Sequence, residues 1–287
     1  MQKIIAIITV YYPHSENVEN IASIASQADM TFVVDNSKQD NSNMFTGMNI
    51  IYHSMGYNSG IAKAFNYYLK NSNYRFNLDD YIIFFDQDSK ISDEHIRKLV
   101  KIYEFTKRKY SNLGCIGPIY YNTSNNTYEI PHIKRRLNKY CYSVTDLITS
   151  SMLCEYGKLK SVGYWNEDLF LDGADWDLCW RLKKGGMLCC LTDYVSYRHS
   201  VGIGEKKILG ISMRKNNLNR SYYRTRDSLY LLHREYTPLR IRIRLLIDAS
   251  FINFFRIIFL DNRRERCCLM IKGYKDYNSK ITGELRT

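Results

Sequence analysis

No Cys-x-x-Cys pair, no Gly-x-Gly-x-x-Gly run, no Gly-x-x-x-x-Gly-Lys-Ser/Thr loop and no internal repeat occur in this sequence. Each absence excludes something. Without paired metal-ligand spacing, the eight cysteines do not read as a zinc site or a disulfide framework. Several lie in apolar runs, where a reduced thiol packs as a small hydrophobe, so a reducing, cytoplasmic setting is expected. The missing glycine-rich loops remove the main support for dinucleotide-binding and P-loop readings. Only four prolines and no low-complexity stretch argue against a flexible string of small domains. The first residues carry a short apolar run, Ile4–Val10, followed by Tyr11-Tyr12-Pro13 and no small-residue cleavage site, which reads as a buried strand and not a signal peptide. Leu245–Leu260 is rich in Ile and Phe, but Asp248 and Arg256 interrupt it, so it is too short and too charged for a membrane span.

What is present is an ordinary globular composition, 45% hydrophobic and 24% charged over 287 residues, enough for one large α/β domain plus an appendage. The net charge of +12 is unevenly placed. Residues 1–204 hold 22 Lys/Arg and 21 Asp/Glu, whereas residues 205–287 hold 19 and 8. The base excess is therefore a property of the C-terminal part. It suits an anionic partner, whether a membrane surface, a phosphate-bearing substrate or nucleic acid, or simply a solvated helical face.

The first half alternates apolar runs with helical periodicity. Strands are expected at Ile4–Val10, Thr31–Val34, Asn49–His53, Tyr81–Phe85, Cys115–Tyr121 and Tyr142–Ile148. Helices are expected at Glu16–Gln27, with Ser15 as N-cap, around Ile61–Leu69 and at Ile96–Phe105. The polar stretch Asn122–Asn138 reads as a loop, and from Asn216 onward the chain reads as mostly helical. Strands apolar on both faces, alternating with helices, imply an α/β fold with a mixed, mainly parallel sheet covered by helices and a helical basic C-terminal extension. Ligands of such sheets bind beyond the carboxyl ends of the strands. Val34 runs into Asp35 and Phe85 into Asp86, which directs attention to that edge.

Asp86-Gln87-Asp88 places two carboxylates at i and i+2 behind an apolar strand. Unless they form an ordinary polar loop, a hard divalent cation carrying a diphosphate is their natural partner. Asp35 is either an acceptor for a base or ribose, or the head of an Asx turn. Asn58, Ser59 and Gly60 start a helix whose amides either face an anion or pack tightly on the sheet. Asp172 and Asp175 open a second acidic cluster around Trp176 and Trp180, as a general base or as helix caps. His199 follows a strand-like run and is a structural histidine or a third contact to metal or phosphate.

Taken in order, these segments resemble the inverting family-two glycosyltransferases of GT-A fold, and more narrowly their bacterial rhamnosyltransferase branch. The ordered set is Tyr11-Tyr12-Pro13, Val34-Asp35-Asn36-Ser37, Asn58-Ser59-Gly60-Ile61-Ala62, Phe85-Asp86-Gln87-Asp88-Ser89, Thr149-Ser150-Ser151, Asp175-Trp176-Asp177-Leu178-Cys179-Trp180-Arg181, His199-Ser200-Val201-Gly202 and Tyr222-Tyr223-Arg224-Thr225-Arg226. The resemblance implies a catalytic domain over 1–212 and a basic helical region over 213–287. It implies a nucleotide-sugar donor, a glycan acceptor that is lipid-linked, and Mg²⁺ or Mn²⁺ as cofactor. By position, Asp35 would contact the nucleobase or ribose, Asp86 the ribose and diphosphate, Asp88 and His199 the metal, and Arg226 phosphate or the closed site. Asp175 would be the base, with Asp172 as its rival, because Ala174 stands where the family carries an acid. Arg226-Asp227 replaces the family's Arg-Asn pair.

The basic C-terminal part is expected on the acceptor side, with peripheral contact to an anionic inner leaflet as one reading and a helix packed on the main domain as the other. Two readings compete from outside the family. A nucleotidyltransferase needs a glycine-rich basic loop that Tyr11–Val18 lacks, and an RNA-binding protein needs a motif that the 25 tyrosines do not form, so no nucleic-acid partner is expected.

Overall fold

The computed structural model describes residues 2–71, 73–131, 133–199, 205–208, 211–214, 218–247, 259 and 262–285. Most of Leu245–Leu260 and the residues after His199 in the His-Ser-Val-Gly run lie outside them.

A ten-stranded sheet forms the centre. In chain order its strands are β1 (Ile4–Val10), β2 (Met30–Asp35), β3 (Ile51–Ser54), β4 (Tyr81–Asp86), β5 (Leu113–Asn122), β6 (Thr127–Glu129), β7 (Ile133–Arg136), β8 (Cys141–Val144), β9 (Met152–Glu155) and β10 (Leu188–His199). They lie side by side as β3-β2-β1-β4-β9-β5-β10-β8-β7, with β6 paired to β5. β9, β8 and β6 run against the remaining strands, so the sheet is mixed but mainly one-directional. A separate hairpin joins β11 (Glu205–Ile208) to β12 (Ile211–Arg214).

The helices are α1 (Ser15–Ala25), α2 (Ile61–Asn71), α3 (His95–Lys107), α4 (Tyr156–Ser161), α5 (Ala174–Lys184), α6 (Arg220–Leu232), α7 (Leu239–Ile247) and α8 (Arg263–Asn278). The alternating faces of β1 explain the layering. Ile5 and Ile7 join the core beneath α2 and α5, while Ala6 and Ile8 join the core beneath α1 and α3. Burying both faces requires the continuous apolar runs seen in the sequence.

Some boundaries differ from the sequence reading. α1 begins one residue early, with His14 at the N-cap and Ser15 inside the helix. Asn17 closes the turn, its Oδ1 accepting the His14 amide at 2.9 Å. The expected loop 122–138 contains β6 and the exposed β7, whose polar side chains hide their strand character. β8 ends at Val144, so Thr145–Ile148 is not strand. The fold also brings Cys115, Cys179 and Cys189 from three elements to within 4.8 Å of one another, buried beneath α5.

Candidate active site

The register of the sheet assembles the site. Thr9 pairs with Asp86 and Val10 with Asp35, so β1, β2 and β4 end level. β10 runs parallel to β5 and finishes at His199, opposite Asn122. A two-residue bridge joins these groups: the Lys90 amide donates to the Arg198 carbonyl and the Arg198 amide to the Lys90 carbonyl, each at 3.0 Å. That bridge lays the turn after β4 against the end of β10, which brings His199 to Asp88.

Asp86, Asp88 and His199 then offer ligand atoms within 4.8 Å of one another. His199 Nδ1 stands 3.1 Å from Asp88 Oδ1, within ion-pair range, on a half-buried ring. Burial pushes the Asp86 carboxyl up to about 6, Asp88 adds to the rise and His199 opposes it. Burial works against a charged His199, but Asp88 and then Asp86 carry its pKa above the ordinary value. Two carboxylates and an imidazole nitrogen are a donor set that suits Mg²⁺ or Mn²⁺.

Thr149-Ser150-Ser151 fixes the strand that carries Asp86. Ser150 Oγ accepts the Asp86 amide at 3.3 Å and meets Ser89 Oγ. The Ser151 amide donates to the Phe84 carbonyl at 2.6 Å, and its hydroxyl meets the His95 ring at 2.7 Å.

Asp175 stands in the first turn of α5, after Gly173, whose φ of +84° lets the chain enter the helix. Burial pushes its carboxyl up to about 7; the Trp176 amide opposes this, while Asp146, Asp172 and Asp86 add to it. Asp172 is held differently. Arg220 Nε donates to its two oxygens at 3.0 and 3.1 Å, and Nη2 donates at 2.6 Å. Asp177 is buried and structural, accepting Arg181 Nε at 2.6 Å and Asn166 Nδ2 at 3.1 Å. A cavity of about 140 Å³ is lined by Ser150, Trp176, Asp146 and the apolar Pro118, Leu147 and Leu191.

Of three residues expected to touch the nucleotide, Asp35 and Gly60 meet protein in this structure and Asn58 faces a cavity. Asp35 is fully buried, and its carboxylate accepts the Ser37 amide at 2.8 Å, Asn41 Nδ2 at 2.7 Å and the Tyr52 hydroxyl at 2.7 Å. It takes the Asx-turn alternative and leaves no surface for direct contact. Gly60 has φ +80°, and a Cβ there would stand 2.6 Å from the Phe170 carbonyl oxygen. The Ile61 amide donates to that same oxygen at 3.0 Å, so the start of α2 meets protein and not an anion. Asn58 Oδ1 accepts the Gly60 amide at 3.1 Å, and Asn58 lines a larger cavity of about 930 Å³ with Lys38, Lys63 and Tyr223.

Arg226 is fully buried, so of its two expected roles direct phosphate contact has no exposed surface here, and holding the closed site stays open. Its Nε donates to Asp227 Oδ1 at 2.9 Å and its Nη1 to the Gly283 carbonyl at 2.7 Å, and it lies over the rings of Tyr222 and Tyr223. Asp227, which departs from the family's asparagine, also accepts the Phe170 amide at 3.1 Å and ties α6 to the loop before α5. Sequence reasoning passed over Arg220 and Asp146, because neither falls in a recognisable run. Arg220 stands two residues before the Tyr-Tyr-x-x-Arg segment that drew attention to Arg226.

This arrangement, a mainly parallel sheet whose carboxyl edge carries an Asp-x-Asp turn, is the GT-A glycosyltransferase fold. The solved structure of GalNAc-T7 with UDP, GalNAc and Mn²⁺ superposes with a TM-score of 0.55 at 9% identity, over 87% of this chain and 55% of that one, a likeness of fold alone. Residues 6–162 match the profile of glycosyl transferase family 2. The dTDP-rhamnosyl transferase RfbF of Shigella flexneri is 30% identical over 298 residues, spanning 98% of this chain and 97% of that protein. The chain belongs to glycosyl transferase family 2 and is a glycosyltransferase.

Proposed function

We propose that this enzyme is a metal-dependent, inverting rhamnosyltransferase that moves L-rhamnose from dTDP-rhamnose to a hydroxyl of a lipid-linked glycan in bacterial surface polysaccharide assembly. The observation that carries the reading is the convergence of Asp86, Asp88 and His199 at the edge of the sheet, close enough to Asp175 for Asp86 to perturb it. The likeness to a dTDP-rhamnosyl transferase over nearly the whole chain supports the donor.

Asp88 and His199, with Asp86 beside them, would hold Mg²⁺ or Mn²⁺, which supplies neutralising charge to the leaving nucleoside diphosphate. Asp175 is the general base. Its carboxylate takes the acceptor hydroxyl's proton as that oxygen attacks the anomeric carbon, and the bond from that carbon to the diphosphate oxygen breaks on the opposite face. One displacement inverts the configuration. A base is most effective with a pKa near the working pH, which Asp175 has at about 7. The three hydrogen bonds from Arg220 to Asp172 make that carboxylate a poorer proton acceptor. The apolar side chains lining the 140 Å³ cavity suit the methyl group of a 6-deoxyhexose, with Trp176 available to a sugar face.

α7 supports the acceptor side of the reading. Leu239, Ile243, Leu246 and Ile247 are exposed, and Arg240, Arg242 and Arg244 alternate with apolar residues, a composition that suits an anionic bilayer surface. Among the described residues no helix is long and apolar enough to cross a membrane.

The test is calorimetric binding of dTDP-rhamnose, UDP-glucose, UDP-galactose and UDP-N-acetylglucosamine with and without Mn²⁺. Metal-dependent binding of dTDP-rhamnose is expected. Preference for a UDP-hexose overturns the rhamnosyl assignment, and binding of none overturns the donor reading.

A further inference from the structure

The mechanism leaves Arg226 without a chemical role, although a fully buried arginine is costly to keep. Its surroundings explain it. α8 approaches α6 closely because Gly273 has no side chain: a Cβ there would stand 2.7 Å from the Tyr222 carbonyl oxygen. The Tyr222 hydroxyl donates to Asp276 Oδ2 at 2.7 Å and fixes the helices in that register. α8 then stops; the Ile281 amide returns to the Asp276 carbonyl at 2.8 Å, and Lys280 takes a positive φ of 56°. The chain is thereby turned back across α6.

Beyond this turn, Thr282–Leu285 is held at two points. Arg226 Nη1 donates to the Gly283 carbonyl at 2.7 Å, and the Leu285 amide donates to the Tyr223 hydroxyl at 2.9 Å. These four residues line the 930 Å³ cavity together with Lys38, Asn58, Lys63, Glu167 and Asp168. Tyr11 links the cavity residue Asn58 to the catalytic edge. The Tyr11 amide donates to Gln87, between Asp86 and Asp88, at 2.6 Å, while its side chain lies by Asn58 and within the field of Glu284.

We propose that Thr282–Leu285 is the outer wall of the donor nucleotide site, and that Arg226 and Tyr223 are positioning residues that seat this wall. The idea rests on the donor reading above. Of the acids in the lining, Glu167 is paired with Lys70 and Asp168 with Arg234, which leaves Lys38 and Lys63 for an anionic group and Glu284 as an acceptor for a hydroxyl, and a wall already pinned from behind lowers the ordering cost of binding the ligand. Arg226 acts on the nucleotide without touching it, through the carbonyl of Gly283.

The test is hydrogen exchange of the full-length protein with and without dTDP plus Mn²⁺, together with dTDP affinity of Tyr223→Phe and Glu284→Gln. Phenylalanine keeps the stacking of Tyr223 on Phe170, at 4.4 Å between ring centroids, and removes only the hydroxyl, so the variant folds. With dTDP, exchange should slow in 282–285 as well as in 57–60 and 86–88. Tyr223→Phe should speed exchange at Leu285 and weaken dTDP binding about threefold to tenfold, the effect of one net hydrogen bond. It should raise the donor KM with kcat little changed, and leave the Mn²⁺ titration alone. Glu284→Gln should shift the same affinity. Protection at 57–60 and 86–88 with none at 282–285 overturns the wall and leaves the donor reading standing. Protection nowhere overturns both.

Discussion

At the scale of single residues, the two acids that open the second acidic cluster are separated by their partners. Arg220 occupies Asp172, whereas Asp175 keeps a carboxyl whose pKa is raised to about 7 by burial and neighbouring acids. Asp175→Asn is expected to fold, bind donor and lose about 10²–10⁴ in kcat, the usual share of general-base catalysis. Near-normal turnover in a steady-state assay would return the role to Asp172. Because the base works ionised, kcat/KM of the parent enzyme should rise with pH and level off above about 7. A profile flat from pH 5 to 8 would contradict the assignment. Asp88→Ala should abolish the response of activity to Mn²⁺, and an unchanged metal titration would remove Asp88 from the cation site.

At the scale of elements, the parallel strands β1 to β5 and the first three helices were legible because burial on both faces writes long apolar runs, and helical period writes Ile61, Ala64, Phe65, Tyr68 and Leu69. β6 and β7 were not legible, since exposed edge strands of polar residues carry no apolar pattern. The carboxyl-edge acids were found because Asp86 directly ends an apolar strand. The true partners of Asp35 and Arg226 were hidden, because Tyr52 and Gly283 are near them only in space. Gly60 shows what one close approach is worth. Gly60→Ala forces a side chain to φ +80° and against the Phe170 carbonyl, and should cost about 1–3 kcal/mol, read as a lowered Tm in thermal unfolding. An unchanged Tm would mean that α2 and the 170 loop are not in firm contact.

At the scale of the whole molecule, the site is held at the expense of stability. Asp86, Asp175 and Asp227 have folded-state pKa values of about 6, 7 and 7, above the ordinary 3.8. The folded protein therefore prefers their protonated forms, and this preference is lost as pH rises from about 4 through 7. Asp175→Asn, inactive, should accordingly melt a few degrees higher than the parent at about pH 8, and the gain should vanish near pH 4. Equal melting at both values would show that burial does not disfavour this charge. The basic C-terminal part acts at the same scale. Replacing Arg240, Arg242 and Arg244 with Gln should abolish flotation with anionic liposomes, while parent protein that fails to float would remove the membrane from the picture.

The bridge between Lys90 and Arg198 also sets an order in time. It unites parts of the chain made far apart during synthesis, and His199 meets Asp88 only after β10 has been laid beside β5. Contacts between such distant segments form late, because the intervening chain must first give up its freedom. A growing or half-folded chain therefore cannot bring the three proposed cation ligands together. Affinity for the ion should appear abruptly on refolding, at the moment the last central strand docks, and a stopped-flow metal indicator would serve as a clock for that step.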